Sequence, residues 1–169
     1  MGSRFTASMA LCLAAFILTV ATAGAAVSAQ SRPERLTLRG ATVHGVDTPI
    51  HVIAAGPIHG RGTAEDNERS GVLTINLHAG SVFVTNKTTS LRARLDTRRC
   101  SATITEKGTF RIVGGTRGYR HTTGGGTYVT VRKLIGARSA SGACEGRSAP
   151  PRAVYVRTVL TGSAAVPAS

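Results

Sequence analysis

The sequence predicts an all-β protein, and three observations carry that reading. After residue 30 no run shows the 3.6-residue apolar period of an amphipathic helix. Short runs rich in Val, Ile, Thr and Leu recur instead. Gly, Asn, Asp and Pro punctuate them at the roughly 8–12-residue spacing of a β-sandwich or barrel.

The elements follow in order. Strands are expected over 36–43, 50–58, 72–77, 81–86, 90–95, 102–106, 109–113, 127–134 and 153–160. His78-Ala79-Gly80 reads as a tight hairpin between two of these, and Lys107-Gly108 as another, each offering a Gly where a positive φ is needed. Alternation in Thr103-Ile104-Thr105 and Phe110-Arg111-Ile112 places Ile104, Phe110 and Ile112 on the inner face. Three stretches read as loops: 61–70, polar and acidic; 114–126, Gly-rich; and 136–151, which carries Cys144 and Pro150-Pro151. The last residues, 163–169, are small and Pro-containing and read as a flexible tail.

Residues 1–29 read as a signal peptide. Arg4 supplies the positive start, Ala7 to Val20 the apolar run, and Val27-Ser28-Ala29 the small residues before a cleavage site after Ala29. The Ala and Thr content of that run makes it a weak membrane anchor, so no stable span is expected after cleavage. Cys12 lies inside the run and is a poor lipidation site. The barrel or sandwich domain is then 30–162, secreted to the exterior or held in the cell envelope.

Beyond the leader only Cys100 and Cys144 remain, and an oxidising compartment pairs them. Such a bond closes a loop of about 45 residues and stabilises by about 4 kcal/mol in the chain-entropy account. No second Cys or His stands close to either cysteine, and the five His residues form no short-spaced pair, so no metal site is expected. No cofactor motif occurs either.

The 169 residues hold 21 Lys plus Arg against 8 Asp plus Glu, a formal charge of +13, of which the leader removes only Arg4. Arg98-Arg99, Arg111, Arg117, Arg120, Arg132-Lys133 and Arg138 could share one positive face that attracts polyanions. An Ala-, Gly- and Arg-rich composition accounts for the same excess. Nucleic acid is not the expected partner, because export removes it and no interleaved aromatics offer a stacking platform.

Catalytic signatures are missing. There is no G-x-S-x-G elbow and no phosphate-cradling G-x-x-x-x-G-K-[ST]. The acidic run Ala64-Glu65-Asp66-Asn67-Glu68-Arg69 does not match a calcium loop and reads as a solvated loop. An isolated carboxylate such as Asp47 or Glu106 would suit acid–base work better, but both stand beside expected turns.

The segment from Cys100-Ser101-Ala102-Thr103-Ile104 through Gly108-Thr109-Phe110-Arg111-Ile112, followed by GGTRGYRHTTGGGTY at 114–128 and by Cys144, resembles small secreted actinobacterial proteins related to the allene oxide cyclase and dirigent barrels. Gly45-Val46-Asp47-Thr48-Pro49 is similar to the family's early segment. Arg117, His121 and Thr122 depart from its Gly and Ala positions. The resemblance implies a single antiparallel barrel of about eight strands, and no catalytic residue can be carried over from it.

The first functional expectation is a non-catalytic binding module for a small apolar molecule or an anionic envelope polymer. Arg117, Tyr119, Arg120 and His121 in the Gly-rich segment are the candidate binding residues, with Tyr119 either plugging the barrel end or capping a ligand. A cyclase- or isomerase-like enzyme working in the barrel is the alternative, since a shaped, dry cavity with a few oriented polar groups can suffice. A ligand-free structural envelope protein is the third. A solidly packed interior would remove the first two cavity readings.

Overall fold

The computed structural model describes residues 30–67, 70–145 and 149–167. The expected signal segment, Glu68 and Arg69 lie outside them. Nine strands form one antiparallel sheet: β1 (Arg32–Val43), β2 (Val46–Asp47), β3 (Ile50–Ala55), β4 (Gly60–Asn67), β5 (Val72–Leu77), β6 (Gly80–Asp96), β7 (Ser101–Gly115), β8 (Thr123–Ile135) and β9 (Ala153–Ala165). Sequential strands pair with their neighbours, except that β3 returns to β1, and β1 also pairs with β9 from Arg32↔Ala164 to Val43↔Ala153. That last pairing closes eight strands into a barrel and leaves β2 outside as a short flap on β1. Closure removes the free sheet edges on which chains aggregate.

The expected barrel is therefore present, and several element boundaries need correction. Residues 102–106 and 109–113 belong to one strand, β7, with no hairpin at Lys107-Gly108. Gly108 is there for the opposite reason to a turn. It pairs directly with Tyr128 on the inner face, and a Cβ at Gly108 would sit 2.5 Å from the Tyr128 ring carbon Cε1. Glycine makes room for the aromatic ring in mid-strand.

Residues 81–86 and 90–95 are likewise one strand, β6, whose register with β7 shifts at Phe83/Val84 and again, at a bulge, between Thr88 and Ser90. The expected loop 61–70 contains β4, whose inward residues Gly62 and Ala64 are too small to register as a hydrophobic alternation. Part of the Gly-rich segment is also strand. Gly114 and Gly115 end β7, and Thr123 to Gly126 begin β8. Gly126 faces Phe110, whose ring carbon would stand 3.0 Å from an added Cβ. The expected tail starts too early, because β9 runs through Ala165 and Ala164 is fully buried. The hairpin at His78-Ala79 between β5 and β6 is as expected.

Inside, Leu36, Val52, Ile75, Val82, Val84 and Phe110 form the aliphatic and aromatic core. One end of the barrel is sealed. There Ile58 is fully buried, and Tyr119, in a single 3-10 turn at Arg117–Tyr119, is 2% exposed. Its hydroxyl donates to the His59 carbonyl at 3.4 Å. Glu34 is buried at the same end. Its Oε2 accepts the Ile58 N–H at 2.9 Å, while Oε1 has no partner among the described residues. Burial raises the Glu34 carboxyl above its usual range, and the Ile58 and Arg35 N–H groups and His59 only partly oppose that.

At the other end β6, β7, β8 and β9 outrun β4 and β5, so the wall continues as an apron past the mouth. Cys100 and Cys144 are joined there, with Cα atoms 5.4 Å apart, and the bond ties the 136–152 loop to the β6–β7 turn. Such a bond fits an oxidising compartment. Among the described residues no helix is long and apolar enough to cross a membrane.

Candidate functional site in the barrel mouth

Opposite the Tyr119 plug the interior is open. A cavity of about 570 Å³ enters through the mouth, within the several-hundred-Å³ range that accommodates small molecules. Leu38, Leu73, Val84 and Leu160 make its apolar lining, with Thr130 and Thr158 joined hydroxyl to hydroxyl at 2.9 Å. Asp47, Glu65 and Asp66 stand around the lining toward β2 and β4, and Glu106, Tyr128 and Arg132 on β7 and β8 complete it.

Strand parity explains how Glu106 arrives there. With β7 unbroken, Glu106 is two and three alternations before the buried Phe110 and Ile112, and so lies on their face. Its direct partner on β8 is Thr130, and Tyr128 and Arg132 flank that position on the same face. The β6 bulge brings Thr88 opposite Gly108, the gap in which the Tyr128 ring rests. Three local devices, a missing turn, a mid-strand glycine and a bulge, therefore assemble one polar pole.

Glu106 Oε1 accepts from Tyr128 Oη at 2.6 Å and from Thr88 Oγ1 at 2.7 Å. The two hydroxyls are also within hydrogen-bond distance of each other, at 2.9 Å. Arg132 stands 3.7 Å from Oε2. That guanidinium is half exposed, and an ion pair of this kind is worth under about 1 kcal/mol. The hydroxyl hydrogen bonds hold Glu106 below the usual carboxylate range, with Arg132 assisting and desolvation opposing. Desolvation and the neighbouring carboxylate push the Tyr128 phenol up. Near neutral pH the pole is thus an ionised acceptor beside a neutral phenol, with Oε2 turned toward Arg132.

The sequence-expected binding residues lie elsewhere. Tyr119 is the plug of the sealed end, one of the two roles expected for it, while Arg117, Arg120 and His121 are exposed around it and do not reach the mouth. The anticipated single Arg face is divided. Arg132 faces the cavity, Arg111 and Lys133 face outward, Arg117 and Arg120 cap the sealed end, and Arg98, Arg99 and Arg138 belong to the disulfide end. Arg138 there donates to the carbonyls of Arg98 and Gly142.

Asp47 stands beside the His44-Gly45 turn as expected, whereas Glu106 lies in mid-strand and not beside a turn. Asp47 lies on β2 at the mouth, where Thr42 donates to it at 2.6 Å. The Glu65-Asp66 pair, expected in a solvated loop, lines the opening from β4. Tyr128, within the strand expected over 127–134 but not singled out there, is the residue sequence reasoning missed. A second, more apolar cleft of about 460 Å³ lies beneath the disulfide, between Leu95, Ala102, Leu134 and Pro151, with Asp96 the only charged lining residue among the described residues. Among the described residues no group of three His, Cys, Asp or Glu side chains is placed to hold a metal ion.

Comparison with protein-family models, with curated proteins and with solved structures finds no match to this chain. The functional reading therefore rests on the barrel and its mouth.

Proposed function

We propose that this protein is an exported binding module that holds a small, mostly apolar molecule in the barrel mouth, with one hydrogen-bond donor of the ligand on Glu106. The observation that supports this best is a cavity of about 570 Å³ whose apolar lining carries the Glu106 carboxylate, held in place by two hydroxyls. Apolar walls supply affinity by burial, and a few fixed polar groups supply orientation. The acidic lining from Asp47, Glu65 and Asp66 favours neutral or cationic ligands over anions. The disulfide and the signal-like leader support export.

Fluorescence titration with N-phenyl-1-naphthylamine, an apolar amine, tests the proposal. Saturable one-to-one uptake is expected. Val156→Trp, at a half-buried cavity position, should abolish uptake with the fold intact, and Glu106→Gln should weaken it. Uptake unchanged in Val156→Trp would place the probe elsewhere and defeat the reading.

A second reading, a cyclase- or isomerase-like reaction in the same cavity, is favoured by the Tyr128–Glu106 bond, which sets a neutral donor against an ionised acceptor as acid–base chemistry requires. Ligand recovered unchanged after long incubation supports binding. Conversion that disappears in Glu106→Gln supports catalysis.

A further inference from the structure

The outer wall of the barrel separates charge in a way that the mouth does not share. Residues directly opposite in antiparallel strands point to the same face, and the pairing register runs Arg92, Thr105, Val131, Arg157, Arg39, His51 across β6, β7, β8, β9, β1 and β3. The neighbours of this row on the inner side, Glu106, Thr158 and Leu38, line the cavity, so the row faces out. Arg94 and Lys133 face out one step toward the apron, and Lys107 one step toward the sealed end. All six of these cations are exposed.

Among the described residues none of these six pairs with a carboxylate of the barrel strands, whose ion pairs are Arg99 with Asp96 and Arg132 with Glu106. Glu34 and Glu106 turn inward on β1 and β7, and Asp96 at the tip of β6 is held by Arg99. Arg39 and Arg157 are direct cross-strand partners, which places like charges roughly 5 Å apart at Cβ and destabilises the ladder. A strand pair tolerates that arrangement most readily when an external anion bridges it, and guanidinium groups suit phosphate oxygens in particular. Composition alone accounts for many arginines, but not for a wall whose one outward carboxylate among the described residues of β6 to β9 and β1, Asp96, sits at the strand tip beside Arg99, next to a mouth that collects Asp47, Glu65, Asp66 and Glu106.

We infer that the outer wall of β6 to β9 and β1 is a docking surface for a linear phosphate polyanion, a site separate from the cavity. The wall reads charge, not bases. Tyr155 is the single exposed aromatic among the described residues, so successive bases have nothing to stack on. A phosphate-bearing envelope polymer fits this surface, and nucleic acid is the competing outcome.

The test uses inorganic polyphosphate as probe and two quadruple variants of equal charge loss. One carries Arg39→Thr, Arg92→Thr, Lys133→Thr and Arg157→Thr on the wall. The other carries Arg98→Ser, Arg99→Ser, Arg117→Ser and Arg120→Ser at the two ends. Thermal melting confirms that each folds, and a wall variant that fails is replaced by Arg39→Gln with Arg157→Gln. Salt-sensitive binding is expected for the natural protein. The wall variant should lose roughly tenfold or more in affinity, and its slope of log affinity against log salt should flatten by about 3. The end variant should change far less. Equal losses in the two variants, binding indifferent to salt, or single-stranded DNA of matched charge binding more tightly than polyphosphate would each overturn the inference.

Discussion

Replacing Tyr128 by Phe removes one atom and tests the polar pole directly. The ring keeps its place over Gly108, so no cavity opens and the apolar lining is unchanged. What disappears is the 2.6 Å hydrogen bond to Glu106 Oε1. A hydrogen bond to a charged acceptor contributes about 1.5–3 kcal/mol. Thr88 remains on the same oxygen at 2.7 Å, and the Glu106 side chain is 16% exposed, so the lower end applies, about 1.5 kcal/mol.

The pH dependence follows from the direction of the shift. Glu106 is held below its usual range, so its stabilisation is present above the unfolded carboxylate's pKa and is lost as pH falls through the folded one. Tyr128→Phe should therefore cost its full amount near pH 7, less in acid, and Glu106 should titrate higher, toward an ordinary carboxylate. Urea unfolding from about pH 3 to 7, with carbon-detected NMR of the Glu106 carboxyl, measures both. A stability loss that is the same at both ends of that range, with the Glu106 titration unmoved, would refute the reasoning.

Other outcomes are equally specific. Gly108→Ala forces a Cβ into the Tyr128 ring and should destabilise by about 1–3 kcal/mol, with the Tyr128 and Glu106 NMR signals displaced. Cys100→Ala with Cys144→Ala should lower the unfolding free energy by about 4 kcal/mol in the chain-entropy account, and reducing agent should have no further effect on that variant. Glu34 runs opposite to Glu106. Its raised carboxyl favours the fold below the unfolded pKa and loses that advantage as pH rises through the folded one, so the melting temperature of Glu34→Gln relative to the natural protein should climb between about pH 4 and pH 8.

The fold was legible wherever inner residues are large. β1, β3, β5, β8 and β9 each carry Leu, Val, Ile or Tyr on the inner face, and β5 matches its expected bounds of Val72–Leu77. It was illegible where inner positions are small. Gly62 and Ala64 on β4, and Gly124 and Gly126 on β8, look like loop in one dimension because Gly marks both turns and close backbone approach. Lys107-Gly108 was the costliest ambiguity. Once it is taken as a turn, the alternation from Ile112 through Phe110 stops, and Glu106 becomes a turn residue instead of an inward carboxylate. Counting back in steps of two without that break reaches Glu106, a signal present in the sequence. The partners Tyr128, Thr88 and Arg132 depend on cross-strand register and a bulge, which local pattern does not encode.

The central claim is that an apolar ligand enters the mouth and meets Glu106. Isotope-filtered NOE spectroscopy of the labelled protein with unlabelled N-phenyl-1-naphthylamine examines it most directly. Contacts from the probe to the Leu38, Leu73, Val84 and Leu160 methyls and to the Tyr128 ring are expected. Contacts confined to Leu95 and Leu134 in the disulfide cleft, or no contacts at saturating probe, would contradict it.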